Sequence, residues 1–162
     1  FAVLLTDDLV MADIPCLAQL IDVFTKTGGN VVAVMDVPRE HTNRYGILDV
    51  ADDDGRLVEI KGLVEKPATK DAPSTLSIIG RYVLLPEIFA ELDRQERGVD
   101  NEIQLTDAIA WRIGRAPFHG LRFDGKRFDC GDKAGFLEAN LAFALAREDL
   151  AGQVREFLGD YV

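Results

Sequence analysis

The sequence predicts an α/β fold in which helices pack on a sheet containing parallel strands, and three stretches near its start carry that reading. Phe1–Leu5 is an unbroken apolar run, the pattern of a central parallel strand covered on both faces. Ile14–Thr27 places Leu17, Leu20, Ile21 and Phe24 on one helical face, with Pro15 in the first turn and Gly28-Gly29 as the stop. Asn30–Val37 is a second buried strand rich in Val. Strand, helix and strand at this spacing make a right-handed βαβ unit.

The remaining elements follow in order. Pro38–Arg44 is a polar connection, the most basic local patch, with Arg39, His41 and Arg44. A lone loop His such as His41 reads as solvated. Tyr45-Gly46 leads into a short strand, Ile47–Val50, and Asp52-Asp53-Asp54-Gly55 is a hairpin turn. That turn lacks the ligand pattern of a calcium loop. Leu57–Ile60 returns and runs into Gly62-Leu63-Val64-Glu65-Lys66-Pro67. Ala68–Ser74 reads as a mobile loop beside that stretch, in the position of a lid. Leu76–Leu85 is a strand whose interior Gly80 marks a bulge or a close backbone approach. Pro86–Leu92 is a helix, Gln95–Asn101 a polar loop, and Glu102–Ile113 enters a further helix with Trp111 in the core or at a subunit interface. Phe118–Phe123 alternates as a strand, and Arg127-Phe128 leads to Asp129-Cys130-Gly131-Asp132-Lys133. Phe136–Ala146 is an amphipathic helix, and Leu150–Val162 a last short one with Phe157 and Leu158 on its apolar face. No repeat, low-complexity segment or internal boundary interrupts residues 1–162, which read as one domain.

Composition narrows the function. The 162 residues are 48% hydrophobic and 28% charged, as in ordinary globular proteins. No apolar run is long enough to span a bilayer. The net charge of −10 argues against nucleic acid and anionic membranes as partners, since both need basic stripes. A phosphorylated small molecule is compatible with it. Cys16 and Cys130 form neither a disulfide framework nor a zinc spacing, and read as reduced thiols in a cytoplasmic protein. The start at Phe1, with no Met and no polar lead-in, reads as a strand within a longer protein.

Two stretches carry chemistry. Glu65-Lys66 places opposite charges where an apolar strand stops, because Pro67 has no N–H to continue a ladder. The carboxyl ends of strands in open α/β sheets are where ligands bind. Glu accepts hydrogen bonds from sugar hydroxyls and Lys holds a phosphate as a point charge, so the pair suits a sugar phosphate. The plain alternative is a surface ion pair in a turn. Thr6-Asp7-Asp8 sets two carboxylates at the end of the first strand. They repel unless a cation or a donor set lies there, and Mg²⁺ is the natural cation for oxygen ligands. The competing reading is that Asp8 or Asp13 caps the next helix.

Leu4-Leu5-Thr6-Asp7-Asp8, Tyr45-Gly46, Val64-Glu65-Lys66-Pro67, Ile79-Gly80-Arg81-Tyr82-Val83-Leu84, Glu102-Ile103-Gln104-Leu105-Thr106-Asp107-Ala108-Ile109 and Asp129-Cys130-Gly131-Asp132-Lys133 together resemble the bacterial UTP–glucose-1-phosphate uridylyltransferases. Thr6 and Thr75 stand where that family usually has Pro and a Ser-Asn pair. The resemblance implies a Rossmann-like nucleotidyltransferase fold, a mixed and mostly parallel sheet flanked by helices. It places the family's N-terminal part, with the glycine-rich nucleotide loop, before Phe1. It implies that Asp7 and Asp129 hold a catalytic Mg²⁺, that Glu65 accepts glucose hydroxyls and that Lys66 holds glucose 1-phosphate. It also implies that backbone at Gly46 and Ile78 touches the sugar, with Gly80 packing closely beneath. UTP and glucose 1-phosphate are the implied substrates, and a homo-oligomer joined through the later helices the implied assembly. A sister enzyme using dTTP or CTP, and a non-catalytic subunit that binds sugar nucleotide, are the alternatives.

Overall fold

A computed structural model describes residues 1–94, 96–97 and 101–161. Most of the expected loop over Gln95–Asn101, and the last residue of the expected final helix, lie outside the described residues. The strands are β1 (Ala2–Leu4), β2 (Asp8–Met11), β3 (Asn30–Asp36), β4 (Gly46–Asp53), β5 (Leu57–Glu65), β6 (Leu76–Val83), β7 (Phe118–Arg122) and β8 (Lys126–Asp129). The helices are α1 (Cys16–Thr27), α2 (Ile88–Leu92), α3 (Leu105–Arg112), α4 (Lys133–Leu145) and α5 (Glu148–Leu158). Arg39–Arg44 forms a 3₁₀ turn.

Six strands make one sheet in the order β1-β6-β3-β7-β5-β4, and β2 pairs with β8 in a separate ribbon. The sheet is mixed. β3 and β7 pair in parallel, and β1, β3, β4 and β7 run one way against β5 and β6. Among the described residues β1 pairs with β6, and antiparallel, so the parallel neighbour expected for Phe1–Leu5 is not among them, and Leu4 and Leu5 are exposed there. β6 lies between β1 and β3 in the buried centre, with all eight of its residues buried. An apolar run reports that a strand is hydrophobic, not which strand lies beside it.

Side-chain alternation in β3 sends Val31 and Ala33 to one face and Val32 and Val34 to the other. Val31 and Ala33 pack with Cys16 and Leu20 of α1, and with Ile79, Val83 and Leu121. Val32 and Val34 pack with Leu48, Ile78, Tyr82, Ile88 and Ile109, so α2 and α3 cover the opposite face. Each fully buried aliphatic side chain contributes about 1.5–3 kcal/mol. The expected hairpin is present. Gly55 sits at φ 94, and Asp54 Oδ1 accepts the backbone N–H groups of Arg56 and Leu57 at 2.8 and 2.6 Å. The segment expected as a mobile loop over Ala68–Ser74 is pinned instead. Ala72 is buried against Val37 and Ile47, and Arg39 donates to its carbonyl at 2.9 Å.

The last two helices differ from expectation in which residues they bury. α4 buries Ala139, whereas Phe136, Leu137, Leu141 and Phe143 are exposed. α5 buries Ala151 and Val154 and leaves Phe157 exposed. These helices pack on each other and α4 on β8, which leaves large apolar side chains on the outside. Both cysteines are free thiols. Cys16 is buried in the α1 layer, and burial pushes its thiol up to about 11 despite the nearby charge of Arg81. It therefore stays a protonated, poorly nucleophilic thiol through the neutral range. Iodoacetamide at pH 8 is expected to alkylate Cys130 well before Cys16, as read by peptide mass mapping. Equal labelling rates would contradict the burial of Cys16.

Candidate active site

A cleft of about 670 Å³ opens where several strand ends meet, and Asp7, Gly46, Glu65, Lys66, Ile78, Gly80 and Asp129 all line it. The geometry begins with the β2–β8 ribbon, in which Asp8 stands opposite Asp129. The Cys130 N–H donates to the Asp7 carbonyl at 2.6 Å. These contacts bring Asp7 beside Asp129. A Cβ built on Gly131 would lie 3.2 Å from Asp129 Oδ1 and 3.4 Å from Asp7 Oδ2. The two carboxylates therefore flank the same bare backbone position.

The competing reading of Asp8 as a helix cap is corrected, and so is that of Asp13. Pro15 occupies the N-cap of α1, and no side chain caps that helix. Asp8 is buried in β2. It accepts the Gly80 N–H at 2.7 Å, and Arg127 donates to its other oxygen. Arg81 also donates to the Asp8 carbonyl. So the repulsion anticipated for adjacent carboxylates is resolved unequally. Asp8 has a donor set, and Asp7 is exposed to the cleft. Burial works against the Arg127 charge, but hydrogen bonds to Asp8 and Tyr45, with the charges of Asp8 and Asp129, outweigh it and hold its pKa above the ordinary value.

Asp129 is oriented through Oδ2. That oxygen accepts the Tyr45 hydroxyl at 3.0 Å and lies 3.4 Å from Arg127 and 3.8 Å from Arg44. Oδ1 accepts the Gly131 N–H at 3.2 Å.

Glu65 and Lys66 close the other side. Gly46 pairs with Glu65 across β4 and β5. A Cβ on Gly46 would meet Glu65 Oε2 and Thr106 Cγ2, each at 3.1 Å, so the absent side chain lets the carboxylate lie against the backbone. Lys66 sits at φ 42, a conformation L-residues seldom adopt outside functional or turn positions. Its N–H donates to the Tyr45 carbonyl at 3.0 Å. Gly80 is required by packing, because a Cβ there would fall 2.6 Å from Leu5 Cβ and 2.8 Å from Asp8 Oδ2. Burial, followed by the negative charges of Glu65, Asp8 and Asp7, pushes the Tyr82 hydroxyl well above its usual range. The cleft is lined by the carboxylates of Asp7, Asp8, Glu65 and Asp129 and by the cations Lys66, Arg44 and Arg127.

The profile of the nucleotidyl transferase family matches residues 1–144. The chain belongs to the nucleotidyl transferase family. A UTP–glucose-1-phosphate uridylyltransferase from Komagataeibacter xylinus is 61% identical over 133 residues, which cover 82% of this chain and 47% of that protein. A UDP-glucose pyrophosphorylase solved in complex with UDP-glucose is 40% identical with a TM-score of 0.85, covering 91% of this chain and 57% of that one. A UTP-bound UGPase from Acinetobacter baumannii is 36% identical with a TM-score of 0.85, covering 98% and 55%. The resemblance noted in the sequence is thereby met. The chain spans about half the length of the curated relatives it matches.

Within this nucleotidyl transferase family chain, Asp8, Arg127 and Tyr45 also line the cleft, and motif reading assigned them no place there. Arg127 and Asp8 left no local signal, because Asp8-Leu9-Val10-Met11 and Lys126-Arg127-Phe128-Asp129 show no period and their pairing joins distant parts of the chain. Thr106 also lines the cleft, and its buried hydroxyl has no hydrogen-bond partner among the described residues. No helix among the described residues is long and apolar enough to cross a membrane.

Proposed function

We propose that residues 1–162 act as one domain bearing the sugar-phosphate and cation side of a UTP–glucose-1-phosphate uridylyltransferase, which forms UDP-glucose and pyrophosphate. The observation that carries this reading is the convergence of Asp7, Glu65, Lys66 and Asp129 on one cleft. The relatives named for this reaction, and the neighbours bound to UDP-glucose and UTP, support it.

A phosphate oxygen of glucose 1-phosphate attacks the α-phosphorus of UTP. The bond to the bridging oxygen of the β-phosphate breaks, and pyrophosphate leaves in line with its electron pair. The nucleophile is already ionised near neutrality, so the cleft needs no strong general base. The barrier is the approach of two anions, and catalysis is positioning and charge neutralisation. Lys66, which lines the cleft from a left-handed backbone position, holds the sugar's phosphate. Glu65, seated against Gly46, accepts sugar hydroxyls, and backbone at Gly46 and Ile78 limits the sugar's position. Gly80 keeps the floor beneath it close-packed.

Asp7 and Asp129 suit a divalent cation. Among the described residues, no group of three or more His, Cys, Asp or Glu side chains is placed to hold one. A two-carboxylate site fits Mg²⁺, which keeps several waters and shares its shell with phosphate oxygens. When bound, Mg²⁺ would supply charge neutralisation and orientation for those phosphates. The exposed apolar side chains of α4 support self-association through that helix, and the two free thiols support a cytoplasmic setting.

Lys66→Ala in the full-length protein tests the assignment. It is expected to raise KM for glucose 1-phosphate and lower kcat by roughly 10²-fold, with KM for UTP little changed. A variant altered in UTP affinity alone would reject the role given to Lys66. A nucleotide panel assayed for pyrophosphate release separates UTP from dTTP and CTP.

A further inference from the structure

Tyr45 touches both sides of the cleft by two different groups. Its hydroxyl donates to Asp129 Oδ2 at 3.0 Å, and its carbonyl accepts the Lys66 N–H at 3.0 Å. Two guanidinium groups lie over its ring, with Arg44 Cζ 5.6 Å and Arg127 Cζ 5.3 Å from the ring centroid. Such cation–π contacts resist movement of the ring. The next residue, Gly46, pairs with Glu65, so the chain at Tyr45 is also fixed by the β4–β5 ladder.

A carboxylate that binds a cation gains from an outer partner that sets its rotamer. Asp129 offers Oδ1 toward Gly131 and Asp7, and Oδ2 toward Tyr45. With Oδ2 occupied, Oδ1 is kept turned to the point it shares with Asp7. We propose that Tyr45 is a positioning residue that sets the distance between the two halves of the site. Its hydroxyl fixes Asp129 for the cation, and its carbonyl seats Lys66 for the sugar's phosphate. This rests on the reading of Asp129 as a cation ligand.

The test is Mn²⁺ binding to the full-length protein by isothermal titration calorimetry, without nucleotide or sugar. Wild type is compared with Tyr45→Phe, Asp129→Asn and the double variant. Phe keeps the ring and the main-chain carbonyl, so Tyr45→Phe is expected to raise the Mn²⁺ Kd roughly tenfold and to leave KM for glucose 1-phosphate unchanged. Because the hydroxyl acts through Asp129, adding Tyr45→Phe to Asp129→Asn is expected to cause no further loss. A general structural role would instead give additive losses and a lowered Tm, and that result overturns the proposal. So does an unchanged Mn²⁺ Kd in Tyr45→Phe. If Asp129→Asn binds Mn²⁺ as wild type does, the cation reading itself fails and the proposal falls with it.

Discussion

Asp7→Asn in the full-length protein is expected to cut turnover by roughly 10²–10³-fold while the fold stays intact. The side chain of Asp7 is exposed at the end of β1. Its structural contribution is its backbone carbonyl, which accepts the Cys130 N–H at 2.6 Å, and that group survives the substitution. Asn has nearly the same shape as Asp and lacks the charge. The change therefore removes half the anionic charge that Asp7 and Asp129 present beside Gly131 and little else. Surface substitutions of this kind usually alter stability by less than about 0.5 kcal/mol, so Tm should move little. Mn²⁺ titration provides a second readout, with the variant expected to bind more weakly than wild type. Wild-type turnover for Asp7→Asn at limiting Mg²⁺ would remove Asp7 from the cation site.

Much of the fold was legible because local signals are sufficient for local elements. The α1 stripe, the Val-rich β3, the Asp-Asp-Gly hairpin and the stop at Pro67 each follow from residues a few positions apart. What escaped depends on distant partners. β6 comes from the middle of the chain and lies between β1 and β3, a pairing that no local signal in Phe1–Leu5 announces. β2 escaped because Asp8-Leu9-Val10-Met11 is too short to show a period, and its partner β8 lies at the other end of the chain. For the same reason Asp7 and Asp129 were matched by resemblance, whereas Asp8 was weighed as a cap. The sequence does not reveal that the side chain of Arg127, on β8, pairs with its carboxylate. α4 misled differently. Its apolar residues suggested a buried stripe, but burial depends on which neighbour reaches them; the helix packs on β8 and α5 with Phe143 against Phe128, and Ala139 is the residue it buries.

Asp8→Ala is expected to lower stability more than any other single change at the site. Asp8 and Arg127 have side chains 8% and 9% exposed, so their charges are shielded from water and depend on each other. Removing the carboxylate leaves the Arg127 guanidinium buried with a lost partner, and leaves the Gly80 N–H without the acceptor it meets at 2.7 Å. Breaking a buried pair from one side costs about 3–5 kcal/mol, which lowers Tm by on the order of 10 °C for a domain of this size. Asp8 ties β2 to β8 through Arg127 and ties the ribbon to β6 through the Gly80 N–H, so the loss should appear as loosening of that ribbon in amide exchange as well as in the melting curve. Asp149→Ala is the matched control. It breaks the Arg147–Asp149 pair at 2.7 Å, whose side chains are 63% and 62% exposed, and exposed pairs contribute about 0–1 kcal/mol. Adding Arg127→Met to Asp8→Ala should recover part of the lost stability, because an apolar group then replaces a buried guanidinium that has lost its nearer carboxylate and keeps only Asp129 at 3.4 Å. If Asp8→Ala melts with the Asp149→Ala control, the buried pair does not anchor the ribbon, and the placement of Asp7 beside Asp129 must come from the Cys130 contact alone.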